Sequence, residues 1–214
     1  MAVYDLEEQE QISELKAWWA QYGNLVTTIA MAAALASVGW QGWQWYQNRN
    51  AAEAGALYFA VQQASQGQEA QKARDAAGRL IGDHPGTAYA QLAALVSAGA
   101  QFKAGDLDNA QAQLEWAADK GKDPALSDLA RLRLAAVLLQ KGELDAALAR
   151  LQVAPSAGYA ARFADLRGDV FAAQGKAAEA RSAYQAAIDA LGAAGEQATT
   201  LREVVRVKLE SLEG

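Results

Sequence analysis

The hexapeptide GDLDNA (Gly105–Ala110) recurs as GELDAA (Gly142–Ala147) and again as GKAAEA (Gly175–Ala180), at spacings of 37 and then 33 residues. Each copy sets a glycine five residues ahead of an alanine. Glycine ends a helix where the chain must turn tightly, and a small residue on the following helix lets the two helices pack closely. That punctuation, with a period in the thirties, is the pattern of stacked helical hairpins and predicts an all-α solenoid.

The flanks of the three turns keep the alignment. The third unit adds Gly168, Phe171, Tyr184 and Ala187 on the small and large positions that such a hairpin interlocks. The first two place Ala98, Leu114 and Ala117, then Ala135, Leu151 and Ala154, at corresponding points. Ala73 lies 37 residues before Ala110, so residues 54–87 read as a degenerate first unit. Units are expected near 54–87, 91–124, 128–155 and 161–194, within a repeat domain of residues 47–195. The chain's three prolines, Pro85, Pro124 and Pro155, all fall just beyond second helices, where proline breaks no internal hydrogen bond. The stretch EQATTLREVVRVKLESLE (196–213) reads as a more polar helix, so residues 196–214 are expected to cap the stack. The period is close to the 34 residues of tetratricopeptide repeats, which this part of the chain resembles.

Upstream of the repeats the composition changes. Asp5, Glu7, Glu8, Glu10 and Glu14 face only Lys16, so residues 1–21 form an acidic tail that carries most of the chain's net charge of -6. Leu6, Ile12, Leu15 and Trp19 recur near helical spacing there and would make an amphipathic helix. From Ala17 to Asn48 no residue is charged, a run of 32 positions, and about 20 helical residues suffice to cross a bilayer. The interior LVTTIAMAAALASVGW is only moderately apolar, so a buried helix of a soluble domain is an alternative.

The aromatics favour a membrane. Trp18, Trp19 and Tyr22 precede the apolar run, and Trp40, Trp43, Trp45 and Tyr46 follow it, which places five of the six tryptophans around one segment. Amphipathic rings collect at the headgroup level on both faces of a bilayer. Tyr22 to Trp40 spans roughly 27 Å of helix, and Trp19 to Trp43 roughly 36 Å. Residues 22–46 are therefore expected to be a transmembrane signal-anchor helix with an aromatic belt at each end. Ala34-Leu35-Ala36 before Ser37 has the small-x-small form of a signal-peptide cleavage site, but the preceding tail is acidic where such peptides are basic. Lys16 and Arg49 stand one on each side of the run, so positive charge does not orient it.

Composition also excludes several functions. The chain has no basic stripe to displace counterions from a phosphate backbone, which argues against nucleic acid as a partner. Cysteine is absent, so disulfides, thiol catalysis and Cys-ligated metals are out. The one histidine, His84, lies in the loop sequence GDHPG, and no phosphate loop, nucleophile elbow, dinucleotide fingerprint or zinc-binding helix motif occurs. A binding protein is expected, not an enzyme, with no cofactor and no metal.

Taken together, YDLEEQEQ, LKAWW, the weak span, GWQGWQWYQ (39–47) and the alanine-rich repeats resemble the YfgM-type ancillary subunits of the bacterial SecYEG translocon, over the whole chain and in the same order. The resemblance implies a single-pass inner-membrane protein with its N-terminus in the cytoplasm and its repeats in the periplasm. It further implies association with SecYEG and with a PpiD-like periplasmic isomerase and chaperone, in a network that receives newly translocated client polypeptides. The alternative is a tethered repeat scaffold for envelope assembly or stress signalling, indifferent to the translocon.

A solenoid offers partners a concave face lined by its first helices. The positions expected there are Leu95, Phe102 and Lys103, then Leu132, Leu139 and Gln140, then Arg162 and Asp169. The lysine and asparagine with which some tetratricopeptide proteins clamp a terminal carboxylate are missing, since Leu95 and Gly99 hold the matching places. Such a groove would sooner take an apolar or helical segment than a charged chain end.

Overall fold

A computed structural model describes residues 6–192 and 198–212. The start of the acidic tail (1–5), the end of the fourth unit with the beginning of the expected cap (193–197) and residues 213–214 lie outside the described residues, as do the side chains of Leu6, Glu7 and Glu8. The described chain is helical throughout, without a strand: α1 (Leu6–Gln66), α2 (Ala70–Asp83), α3 (Ala88–Lys103), α4 (Leu107–Asp119), α5 (Pro124–Gln140), α6 (Leu144–Leu151), α7 (Ala160–Ala173), α8 (Ala177–Gly192) and α9 (Thr199–Glu210). By contact the molecule divides into two units, Met1–Asn50 and Ala51–Gly214. The first helix, α1, is 61 residues long.

The repeat turns explain why glycine recurs. Gly105, Gly142 and Gly175 have φ of +80°, +78° and +74°, a left-handed conformation in which a Cβ is strained. Around Gly105 its own N–H bonds to the Phe102 carbonyl at 3.1 Å and the Asp106 N–H bonds to Gln101 at 2.9 Å, which satisfies carbonyls that the end of α3 would leave unpaired. The same pair of bonds closes α5 at Gly142 and α7 at Gly175. It also closes α1, where the Glu69 N–H reaches the Ala64 carbonyl at 2.9 Å, but the residue in the left-handed position is Gln68, at φ +58°. Gln68→Gly should therefore stabilise the repeat unit by about 0.5–1 kcal/mol, because relief of the strain exceeds the added entropy of the unfolded chain. A urea midpoint that stays put or falls would contradict this.

The alanines that follow the turns carry the packing. Ala73, Ala110, Ala147 and Ala180 are all fully buried, so each second helix approaches its first helix at a point with no room for a larger side chain. The main core runs from α3 to α7 around Leu114, Leu134, Leu138, Leu151 and Phe163. A smaller core behind α7 and α8 holds Tyr184, Leu191 and Val205, the last brought by α9.

Two places depart from the regular repeat. The sequence alignment puts Ala154 in a packed helix, but α6 stops at Leu151 and Ala154 is exposed in the loop beyond it. The reason is a long-range clasp: the buried Asp128 carboxylate accepts from the Ser156 N–H at 2.8 Å and hydroxyl at 2.6 Å, while pairing with Arg131 at 2.9 Å. Burial opposes its charge, yet these partners hold Asp128 below the usual carboxylate range. Pro124 is the second departure, since it opens α5 as its first residue; Asp123 caps that helix by accepting from Ala125 and Leu126.

Buried polar contacts fix the joints between hairpins. The Gln91 amide on α3 donates to the Ala117 carbonyl at 3.0 Å and to Ser127 at 3.0 Å, and accepts from the Asp123 N–H at 3.1 Å. Its side chain fills the space beside Gly121, where any Cβ would overlap it.

Candidate functional site

In the N-terminal unit large aliphatic residues of the apolar run are exposed. Leu25, Ile29 and Leu35 are 58%, 60% and 68% exposed, and only 6% of the most apolar window of α1 is buried. A core helix of a soluble domain would hide these side chains. Among the described residues α1 alone is long and apolar enough to cross a membrane. The hydroxyls of the run make local hydrogen bonds, as suits a bilayer interior. Thr27 and Thr28 donate their hydroxyls to the Gly23 and Asn24 carbonyls at 2.6 and 2.7 Å, and Ser37 accepts from Gln41 at 3.1 Å.

Both aromatic groups form clusters on the exposed helix. Trp18 stacks obliquely with Trp19 and Tyr22, with ring centroids 6.3 and 5.8 Å apart, and the Trp19 indole lies against Gly23. At the other end Trp40 and Trp43 are 5.5 Å apart, and the Arg49 guanidinium sits 5.7 Å from the Trp45 ring. Trp45 and Tyr46 are exposed as well.

In the repeat unit a cleft of about 450 Å³ opens between the end of α1, α3 and α5. Leu95, Phe102 and Lys103 all line it, and the structure thus gathers the first three of the expected groove positions. Leu95 lies in the floor, whereas Phe102 is 41% exposed.

The other positions lie elsewhere. Leu132 and Leu139 are half-buried against the main core, and Gln140 ends α5 on the surface. Arg162 is exposed at a separate hollow beside Tyr159, Leu191 and Leu201. Asp169 accepts from the Tyr184 hydroxyl at 2.8 Å and, with Asp165, holds Lys208 of α9. Burial and the Asp169 carboxylate push the Tyr184 hydroxyl above its ordinary pKa, so it remains a donor. Burial opposes the Lys208 charge, but the two carboxylates hold its pKa above the ordinary value. Asp169 is thereby engaged in tying the terminal helix to the last hairpin.

Cleft residues outside the expected groove positions include Ser65, Val96, Gly99, Arg133, Ala136 and Val137. On α5 the cleft takes residues 133, 136 and 137 and not the equivalents of 95, 102 and 103. The signal was present in Arg133 and Ala136, which lie 37 residues after Val96 and Gly99.

A family model described as Tetratricopeptide repeat-like domain matches residues 16–214. The chain is similar to a Neisseria gonorrhoeae protein named Ancillary SecYEG translocon subunit, 34% identical over 97% of this chain and 98% of that one. Proteins of the same name from Haemophilus influenzae and Escherichia coli are each 30% identical, the first over 86% of this chain and 90% of its own length, the second over 99% of both.

Proposed function

The chain belongs to the tetratricopeptide repeat-like family of ancillary SecYEG translocon subunits, and from that premise we propose that it is a single-pass inner-membrane protein acting through protein–protein contacts at the translocon. The observation that carries this reading is that the likeness spans anchor and repeats together, since a match confined to the repeats would speak only of a common binding scaffold. Residues 22–46 cross the bilayer, residues 1–21 stay on the cytoplasmic side, and residues 47–195 with the cap at 196–214 stand in the periplasm. There the repeats meet a PpiD-like isomerase and newly translocated chains. An apolar cleft, an exposed aromatic and the lack of a catalytic motif suit binding and not turnover.

Photo-crosslinking from positions in the span and around the cleft, in intact membranes, tests the assignment. Adducts with translocon subunits from the span and with an isomerase from the repeats are expected. A full set of crosslinkers that yields neither, while the chain is membrane-bound, would return the protein to the class of tethered envelope scaffolds. A reporter active only in the periplasm, fused after Gly214, should be active; activity only at the N-terminus would reverse the orientation.

A further inference from the structure

The charge around the cleft selects what it holds. Among the described residues Lys103 and Arg133 are the charged side chains that line it, both are exposed, and no carboxylate lines it. Neither makes an ion pair among the described residues; Arg133 reaches only the Leu95 carbonyl, at 3.4 Å. A second cavity of about 520 Å³ shares Ser65 and Lys103 with the first and continues past Gln66 and Gln68. Lys103 therefore stands where an apolar hollow, floored by Leu95 and Gly99 and edged by Phe102, gives way to a polar one.

We propose that this cleft binds a not yet folded segment of a newly translocated polypeptide in which a large apolar residue is followed within a few positions by aspartate or glutamate. The apolar side chain fills the hollow against Leu95 and Phe102, and the carboxylate lies between Lys103 and Arg133, where charge-assisted hydrogen bonds form. The chain then runs on over Ser65 and Gln68 through polar contacts. A cleft of this volume admits a few side chains and not a folded surface, and it demands only a local pairing of apolar and acidic residues. Such a pairing recurs in most sequences, which suits a site that meets many clients. The inference rests on the translocon reading above.

The test uses the full-length chain in detergent and short fluorescein-labelled peptides built on a serine–glycine scaffold. One peptide carries Leu-Phe-Glu-Asp, and its twin carries Leu-Phe-Gln-Asn. Fluorescence anisotropy should show the acidic peptide binding about tenfold more tightly, with the difference shrinking at high salt. Lys103→Glu with Arg133→Glu should abolish that preference. Gly99→Leu should block both peptides while leaving the circular dichroism spectrum unchanged, because a Cβ at Gly99 meets no atom within 4 Å and the new side chain would occupy the cleft. Equal binding of the two peptides, or binding untouched by Gly99→Leu, would overturn the proposal. So would self-association of the chain, or stoichiometric retention of one partner protein, that Gly99→Leu abolishes while neither peptide binds. Translocon crosslinks that persist without peptide binding would remove this inference and leave the association standing; missing translocon crosslinks would remove the association itself.

Discussion

Gly168→Ala should destabilise the repeat unit by about 1–3 kcal/mol, although the same change in most helix interiors is stabilising. A Cβ at residue 168 would overlap the Tyr184 ring, which crosses α7 at this point. The ring is not free to move aside. Its hydroxyl donates to Asp169 at 2.8 Å, and its face lies 5.8 Å from the Lys208 ammonium, so any shift disturbs the contacts that hold α9. Gly99→Ala in α3 is the control, because nothing lies within 4 Å of the added methyl, and it should raise stability by up to about 1 kcal/mol. Opposite signs in urea unfolding followed by circular dichroism are the expected result. In a Tyr184→Ala background the Gly168→Ala penalty should vanish; a penalty that persists there would show that the ring is not its cause.

The features legible in the sequence are those that a single residue type must satisfy. Gly105, Gly142 and Gly175 occupy left-handed positions, and Ala73, Ala110, Ala147 and Ala180 sit at closest approach, so turns and packing points both appear as a fixed offset of five. Gln68 shows the limit of this logic: the offset from Ala73 finds the turn, but the residue itself gives no sign of its φ of +58°. The early end of α6 was hidden because Asp128 and Ser156 meet through folding across 28 residues, which no periodicity records.

The groove is legible only in part for a related reason. Repeat alignment identifies equivalent positions, and so it found Leu95, Phe102 and Lys103 on α3. The other wall, Arg133 and Ala136, stands at the equivalents of Val96 and Gly99, which line the cleft on α3 but lie outside the expected groove positions. Asp169 has the composition of a groove residue and the surroundings of a structural one, since Tyr184 and Lys208 converge on it only in the folded chain.

Ala33→Arg should remove most of the protein from the membrane. The span is weakly apolar, with a mean hydropathy of 1.3 over its best window, so its margin for insertion is small. An arginine at the middle of a transmembrane helix costs about 2.5–3.5 kcal/mol, or roughly two orders of magnitude in the insertion equilibrium. A leucine-rich span would absorb that cost, whereas one built from Thr27, Thr28, Ser37 and alanines has little to set against it. Met31→Arg, on another face of α1, should act equally if lipid surrounds the helix; a milder effect at either position would mark a face turned toward a partner helix or a polar cavity. Gln47→Arg beside the far aromatic belt should be neutral, because an arginine there stays at the interface beside Trp43 and Tyr46. Resistance to carbonate extraction reads the outcome. If Ala33→Arg and Met31→Arg both remain as carbonate-resistant as the unaltered chain, the apolar run is not what holds the protein to the membrane.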